Sequence, residues 1–149
     1  MLQLFDGPGR AMLIAAARHD LVGVFAYRVV TDRAVGRQRD WLLGRNPWGT
    51  SMFTGIPNDG EHPQDVHTSV WALTRENPKA GLVDGPVLQS IYSQLKGIRL
   101  YESDEFEHLQ NDYVVYHDDI GDYATNEPTM DGTAGAVFWM AHFALGADR

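Results

Sequence analysis

The segment from Tyr116 to Ala134, called the acidic segment below, has the residue types of a catalytic or binding site. It contains four aspartates, one glutamate and two tyrosines, and it contains no lysine or arginine. Glu127 lies between Asn126 and Pro128, shortly before an apolar run, and a glutamate at such a loop-to-helix junction could act as a general acid in a carbohydrate cleft. The alternative is a solvated acidic turn, because charge clusters also occur for structural reasons.

The order of residue types in the acidic segment resembles the C-terminal signature of glycoside hydrolase family 9, the inverting endoglucanases and related cellulases. The signature contains an aromatic residue, an aspartate, a second aromatic residue, a glutamate, a small hydroxyl residue and an Asn-small pair, which correspond here to Tyr116, Asp118, Tyr123, Glu127, Thr129 and Thr133-Ala134. Thr133 replaces the asparagine, and Ile120 stands where the family has an arginine. The resemblance implies that Glu127 is the general acid.

The resemblance also implies roles for the neighbours of Glu127. Tyr123 and Asn126 are expected to contact the substrate, and Asp118 is the second candidate for a catalytic carboxylate. A loop neighbour of the acid is poorly placed to activate water from across a cleft, so we expect the isolated chain to be weakly active or inactive. The family's N-terminal Asp-Ala-Gly-Asp motif, which supplies the base, has no counterpart in this sequence.

Three segments upstream carry the same resemblance. Residues 43–47, Leu-Gly-Arg-Asn-Pro, resemble the run that closes a barrel helix and opens an active-site loop, and Trp48 after it could stack on a sugar or pack inside the protein. His67 is the nearest match to a His-x-Arg substrate-binding motif, with Ser69 in place of the arginine, and a surface loop histidine is the alternative. Residues 81–86 resemble a Gly-x-Leu-Val-Gly-Gly-Pro stretch in which Asp84 occupies a glycine position.

The fold that the resemblance implies is an all-α (α/α)6 barrel of twelve helices. Apolar periodicity indicates about five helices here. We therefore expect a partial barrel that corresponds to the C-terminal helices of the toroid, with long loops, and a single domain over residues 1–149. An inverting reaction needs an acid and a base carboxyl group about 6.5–9.5 Å apart, so the base would come from outside this chain.

Apolar spacing and capping residues predict where these helices lie. The first is expected over residues 10–30, and the second from an N-cap at Asp32 to a stop at Gly44. A third follows Pro86, a short surface helix covers residues 104–112, and an irregular loop covers residues 56–80. The expected core faces of the third and the last helix are formed by Val87, Ile91, Leu95 and Ile98, and by Ala134, Val137, Phe138, Ala141 and Leu145.

Composition limits the possible partners. The net charge of −8 and the pI near 5.0 argue against nucleic acid and anionic membranes, whereas a neutral β-glucan or cello-oligosaccharide remains compatible. No sequence motif indicates a cofactor or a metal, and with no cysteine the compartment and the localisation stay open. Apolar helix faces without partners predict a homo-oligomer, or association with a missing N-terminal part.

Two functions are consistent with the sequence. The first is hydrolysis of β-1,4-glucosidic bonds in cellulose or related β-glucans by an inverting acid/base mechanism. The alternative is a non-catalytic carbohydrate-binding or interaction fragment. Acyl transfer, nucleotide binding and zinc hydrolysis lack their motifs, because the chain has no Gly-x-Ser-x-Gly, no phosphate-binding glycine loop and no His-Glu-x-x-His.

Overall fold

The computed structural model describes residues 25–146, with side chains described for residues 34–145. Most of the first predicted helix, residues 10–24, lies outside the described residues. The elements in chain order are helix α1 (Phe25–Leu42), helix α2 (Ser69–Thr74), strand β1 (Val87–Leu88), helix α3 (Gln89–Tyr92), a 3-10 turn (Glu107–Leu109), strand β2 (Val114–Val115) and helix α4 (Met130–Gly146).

Helix α1 confirms the end of the second predicted helix but not its start. The helix ends at Leu42, and Gly44 follows with a φ of 103°, a left-handed conformation that glycine adopts without a steric penalty. The predicted N-cap at Asp32 is wrong, because the helix already runs from Phe25 and Asp32 lies inside it. No proline or glycine stands between these two residues to stop a helix.

The helix predicted after Pro86 is mostly absent, and its place is taken by a small sheet. Val87 pairs with Val115 and Leu88 with Val114 in an antiparallel register, as β-branched residues favour. Only Gln89–Tyr92 is helical, and Ile91 is 49% exposed, so the predicted core stripe is wrong. The predicted surface helix over residues 104–112 is reduced to the 3-10 turn. The all-α expectation therefore holds only in part.

The middle of the chain is largely irregular, as predicted, but it includes helix α2. The Thr68 hydroxyl accepts a hydrogen bond from Trp71 N at 3.0 Å and caps the start of this helix. The helix ends at Arg75, whose φ is 61°. Isolated antiparallel bridges join the surrounding segments, pairing Leu43 with Ser51, Phe53 with Leu82, and Val83 with Pro128.

The core lies between helix α1, helix α4, the loop after α1 and the acidic segment. Its most buried large side chains are Trp139, Tyr116, Met52 and Val66, each at most 1% exposed. The two long helices meet through side chains, since the Arg39 guanidinium lies 4.7 Å from the centre of the Phe143 ring. The acidic segment thus runs through the core and not around it.

Helix α4 buries a different face from the one predicted. Ala136 and Trp139 are buried, whereas Val137, Phe138 and Leu145, expected in the core, are 67%, 58% and 77% exposed. Apolar residues occur on most sides of this helix, so their spacing does not single out the buried face. Within residues 25–146, no helix has the length and apolar character needed to cross a membrane.

Candidate active site

A cleft of about 880 Å³ is the candidate site, and Glu127 lies on its wall. Helix α2 contributes Trp71, and the residue that follows the helix, Arg75, also lines the cleft. A second loop contributes Gly97, Arg99, Tyr101 and Glu102. The acidic segment contributes Ile120, Gly121 and Glu127. A cleft of this size, with polar groups converging on it, is within the size range of ligand-binding clefts in proteins.

Backbone contacts fix the position of Glu127. Its carbonyl oxygen accepts a hydrogen bond from Asp84 N at 3.1 Å, and the neighbouring Pro128 pairs with Val83. The first residue of helix α4, Met130, follows three positions later. The Glu127 side chain is exposed and forms no hydrogen bond or ion pair with a described residue. Its carboxyl group is therefore available to a ligand in the cleft.

Asp84 brings a second carboxyl group close to Glu127. Burial, followed by the charges of Glu127 and Asp131, raises the pKa of Asp84 to about 6. This residue occupies the glycine position of the upstream motif, so the chain carries an additional acid beside its candidate catalytic residue. Asp84 does not line the cleft.

The Asp118 carboxylate connects two segments of the chain through hydrogen bonds, a role called bracing below. Its carboxylate accepts hydrogen bonds from Gln64 N at 2.6 Å, from Asp65 N at 3.0 Å and from the Asn126 side-chain amide at 2.8 Å. Burial raises the pKa of Asp118, and these hydrogen bonds oppose the rise. The carboxylate thus ties the acidic segment to the loop that leads to His67, and it does not line the cleft with Glu127.

His67 lines the cleft, and the Tyr123 ring packs against the His67 ring. The Nδ1 atom of His67 is 2.5 Å from the carbonyl oxygen of Ile120, so Nδ1 is the protonated nitrogen and Nε2 is left for a ligand. The Tyr123 ring meets the His67 ring edge-on, with 6.1 Å between centroids. The Tyr123 hydroxyl donates to the carbonyl of Lys96 at 3.0 Å. Of these two predicted contacts, His67 is the one that lines the cleft.

Trp48 and Asn126 are buried away from the cleft. Trp48 is 8% exposed and packs edge-on against Trp41 and Tyr116, which matches the packing alternative. Asn126 is fully buried, and its amide donates to Asp118 and to the carbonyl of Asp65. These positions do not support a direct contact of either side chain with a sugar, and they give both residues a structural role.

Asp119 and Gly121 fix the position of the cleft rim formed by Arg99, Tyr101 and Glu102. The Asp119 carboxylate accepts hydrogen bonds from Tyr101 N at 2.7 Å, from Glu102 N at 2.9 Å and from Gly121 N at 2.6 Å. A Cβ atom at Gly121 would lie 1.8 Å from the carbonyl oxygen of Arg99, so only glycine fits under this rim. The charge of Asp119, which is 4% exposed, is thereby satisfied by backbone donors.

Asp122 completes the set of bracing carboxylates. It is fully buried and accepts hydrogen bonds from Ala124 N, Thr125 N, the Thr125 hydroxyl and the Tyr92 hydroxyl. His117 Nδ1 lies 2.8 Å from the same carboxylate. Burial raises the pKa of Asp122, but the hydrogen bonds from His117 and the other donors outweigh it and lower the pKa below its ordinary value. Among the described residues, no group of three or more histidines and acids is arranged to hold a metal ion.

Sequence reasoning did not identify several residues of the cleft. Arg75, Arg99, Tyr101 and Glu102 all line it. The spacing of Trp71 and Arg75, four residues apart where helix α2 ends, was an available signal, since this spacing can bring two side chains together. No local pattern indicated that Arg99, Tyr101 and Glu102 line the same cleft as Glu127, because long-range hydrogen bonds from Tyr101 N and Glu102 N to Asp119 fix that segment.

Comparison with protein families identifies the family of this chain. Residues 9–140 match the sequence model of glycosyl hydrolase family 9. The chain therefore belongs to glycosyl hydrolase family 9, which places it among the glycoside hydrolases with a carbohydrate as the substrate class. Comparisons with curated proteins and with solved structures found no match.

Proposed function

We propose that the chain forms the acid-bearing part of a β-1,4-glucan hydrolase, with Glu127 as the general acid. The observation that supports this role is the state of its carboxyl group, which is exposed on the cleft wall and has no hydrogen bond or ion pair among the described residues. In the reaction, Glu127 donates its proton to the glycosidic oxygen as the bond to the leaving sugar breaks.

An inverting reaction also requires a carboxylate that activates water on the other face of the sugar. Asp118, Asp119 and Asp122 each accept at least two hydrogen bonds from backbone N–H groups, so none of them is free for this step. The proposal therefore places the base outside this chain. We propose that the chain is the C-terminal portion of an (α/α)6 barrel and associates with an N-terminal part that carries the base.

The test compares Glu127→Gln with the parent in hydrolysis of a soluble β-1,4-glucan and in binding of cellohexaose. Glutamine keeps the size and hydrogen bonding of glutamate but cannot donate the proton. General acid catalysis contributes about 10²–10⁴-fold, so turnover should fall by that range while binding is retained. Glu107→Gln, an exposed substitution on the 3-10 turn outside the cleft, is the matched control. Activity retained in Glu127→Gln would refute the assignment.

Two further results would redirect the proposal. Glu102 also lines the cleft, so loss of turnover in Glu102→Gln, with binding kept, would place the base within this chain. Complete inactivity of the parent even when the part that carries the base is supplied, together with measurable cellohexaose binding, would favour the alternative, a non-catalytic carbohydrate-binding fragment. The observation that favours this alternative is the engagement of Asp118, Asp119 and Asp122 in structural hydrogen bonds.

A further inference from the structure

Two arginines line the cleft, and both lie against aromatic rings. The Arg75 guanidinium is 4.2 Å from the centre of the Trp71 ring, and the Arg99 guanidinium is 5.6 Å from the centre of the Tyr101 ring. Both distances are within the range of a cation–π contact. The aromatic surface that would otherwise stack on a neutral sugar therefore carries positive charge in this cleft.

Neither guanidinium forms an ion pair with a described residue, although the charge of Arg75 lowers the pKa of Asp65 against the larger effect of burial, which raises it. The ion pairs among the described side chains involve Arg39, Arg45 and His117, and neither cleft arginine donates a side-chain hydrogen bond to a described residue. The chain contains 20 acidic and 12 basic residues, so acidic partners are plentiful. The N–H groups of these two guanidiniums, which form no ion pair with a described residue, are therefore available to a ligand in the cleft.

Backbone contacts fix the main chain at both arginines, and the ring contacts with Trp71 and Tyr101 locate their exposed guanidiniums. Arg75 caps helix α2 with a φ of 61°, a left-handed conformation that usually selects glycine or asparagine at this position. Its backbone N–H donates to the carbonyl of Trp71 at 2.8 Å. Arg99 lies in the rim that Gly121 and Asp119 fix. Positioned guanidiniums bind carboxylates well, because their planar fork forms two parallel hydrogen bonds.

We propose that Arg75 and Arg99 make the cleft selective for an acidic glycan, a β-1,4-linked oligosaccharide that carries uronic acid carboxylates. This inference rests on the proposed function and names its substrate class. A hexuronic acid has its carboxylate where glucose has its C6 hydroxyl, so the same linkage fits the cleft while the carboxylate reaches a guanidinium. Glu102 and Glu127 also line the cleft, and their negative charges repel anions whose carboxylates do not lie next to a guanidinium.

The test measures binding to the full 149-residue chain by isothermal titration calorimetry. The two probes are cellohexaose and the hexamer of the same linkage whose C6 positions are oxidised to carboxylates. Charge-assisted hydrogen bonds predict that the acidic hexamer binds about 10–100-fold more tightly. The preference should shrink between about 0.01 M and about 1 M salt, as the Debye length falls from about 30 to 3 Å.

Variants assign the preference to the two arginines. Arg75→Gln and Arg99→Gln should each reduce affinity for the acidic hexamer by a larger factor than affinity for cellohexaose, and Arg75→Lys should restore only part of the preference. Arg45→Gln, at a side chain that is 82% exposed outside the cleft, is the matched control and should change neither affinity.

The outcomes separate this inference from the proposed function. Equal affinity for both hexamers, or a preference for cellohexaose, overturns the inference and leaves the proposed function standing. A preference that survives both glutamine variants overturns the role of the arginines. If neither hexamer binds, the proposed glucan site fails, and the inference fails with it.

Discussion

Replacing Asp119 by asparagine tests whether the acidic segment braces the cleft. The Asp119 carboxylate receives three backbone N–H groups, from Tyr101 and Glu102 at one oxygen and from Gly121 at the other. Asparagine has the same shape but offers only one acceptor oxygen. If that oxygen faces the rim, the amide NH2 faces the Gly121 N–H, and two donors oppose each other in a site that is 4% exposed.

The expected cost follows from the hydrogen bonds that change. Hydrogen bonds to a charged acceptor contribute about 1.5–3 kcal/mol and neutral ones about 0.5–1.5 kcal/mol, so the two rim bonds are each weakened by about 1 kcal/mol. The unsatisfied Gly121 N–H adds about 1–3 kcal/mol. Removing a buried charge returns part of this, so we expect the unfolding free energy to fall by about 2–4 kcal/mol.

Thermal unfolding measures this loss. In a chain of this length 1 kcal/mol corresponds to about 2–4 °C, so the melting temperature of Asp119→Asn should fall by roughly 4–16 °C. Asp112→Asn makes the same charge change at an exposed side chain without a hydrogen bond to a described residue, and it should stay within about 0.5 kcal/mol of the parent. A loss for Asp119→Asn no larger than that of the control would refute the bracing role.

The remaining predictions concern pH and association. The folded pKa of Asp84 is raised to about 6, so between about pH 4 and pH 6 the folded state binds this proton more tightly and stability should fall as pH rises. Asp59→Asn, at another exposed aspartate, is the control, and the melting temperature should fall less across that window in Asp84→Asn than in this control. The difference is reduced by solvent screening, because the Asp84 side chain is solvent-accessible. Identical slopes of melting temperature against pH in the two variants would contradict this expectation. The exposed apolar residues of α4 should make the parent associate, and Phe138→Glu should lower its mass in light scattering. A parent that is already monomeric at high concentration would contradict the second expectation.

Local signals predicted the parts of the fold that short-range chemistry determines. The end of α1 was predictable because Gly44 accepts a left-handed conformation directly after the apolar periodicity stops. The loop-rich middle followed from its prolines and scattered charges. The family assignment followed from the order of residues in the acidic segment, and the match over residues 9–140 confirms it.

Long-range contacts determine the parts that were predicted incorrectly. Val87 fits a helical stripe by spacing, yet it pairs with Val115, 28 positions along the chain, and no local pattern reveals that partner. Helix α4 has apolar residues on several sides, so its buried face depends on where α1 and the core lie. Trp48 gave no signal that distinguishes stacking on a sugar from packing, and its surroundings decide for packing.

The acidic segment separates its carboxylates into two kinds, which its composition alone does not show. Asp118, Asp119 and Asp122 turn inward, and each accepts backbone N–H groups that satisfy its charge without lysine, arginine or a metal. Their hydrogen bonds reach the loop before His67, the rim at Tyr101 and the segment's own turn. Glu127 has no such donors and faces the cleft that these braces hold open. The hydrogen bonds of these three aspartates thus connect the segments that form the cleft. Asp131, the fourth aspartate of the acidic segment, is exposed outside the cleft, so Glu127 is the carboxyl group of the segment that lines it.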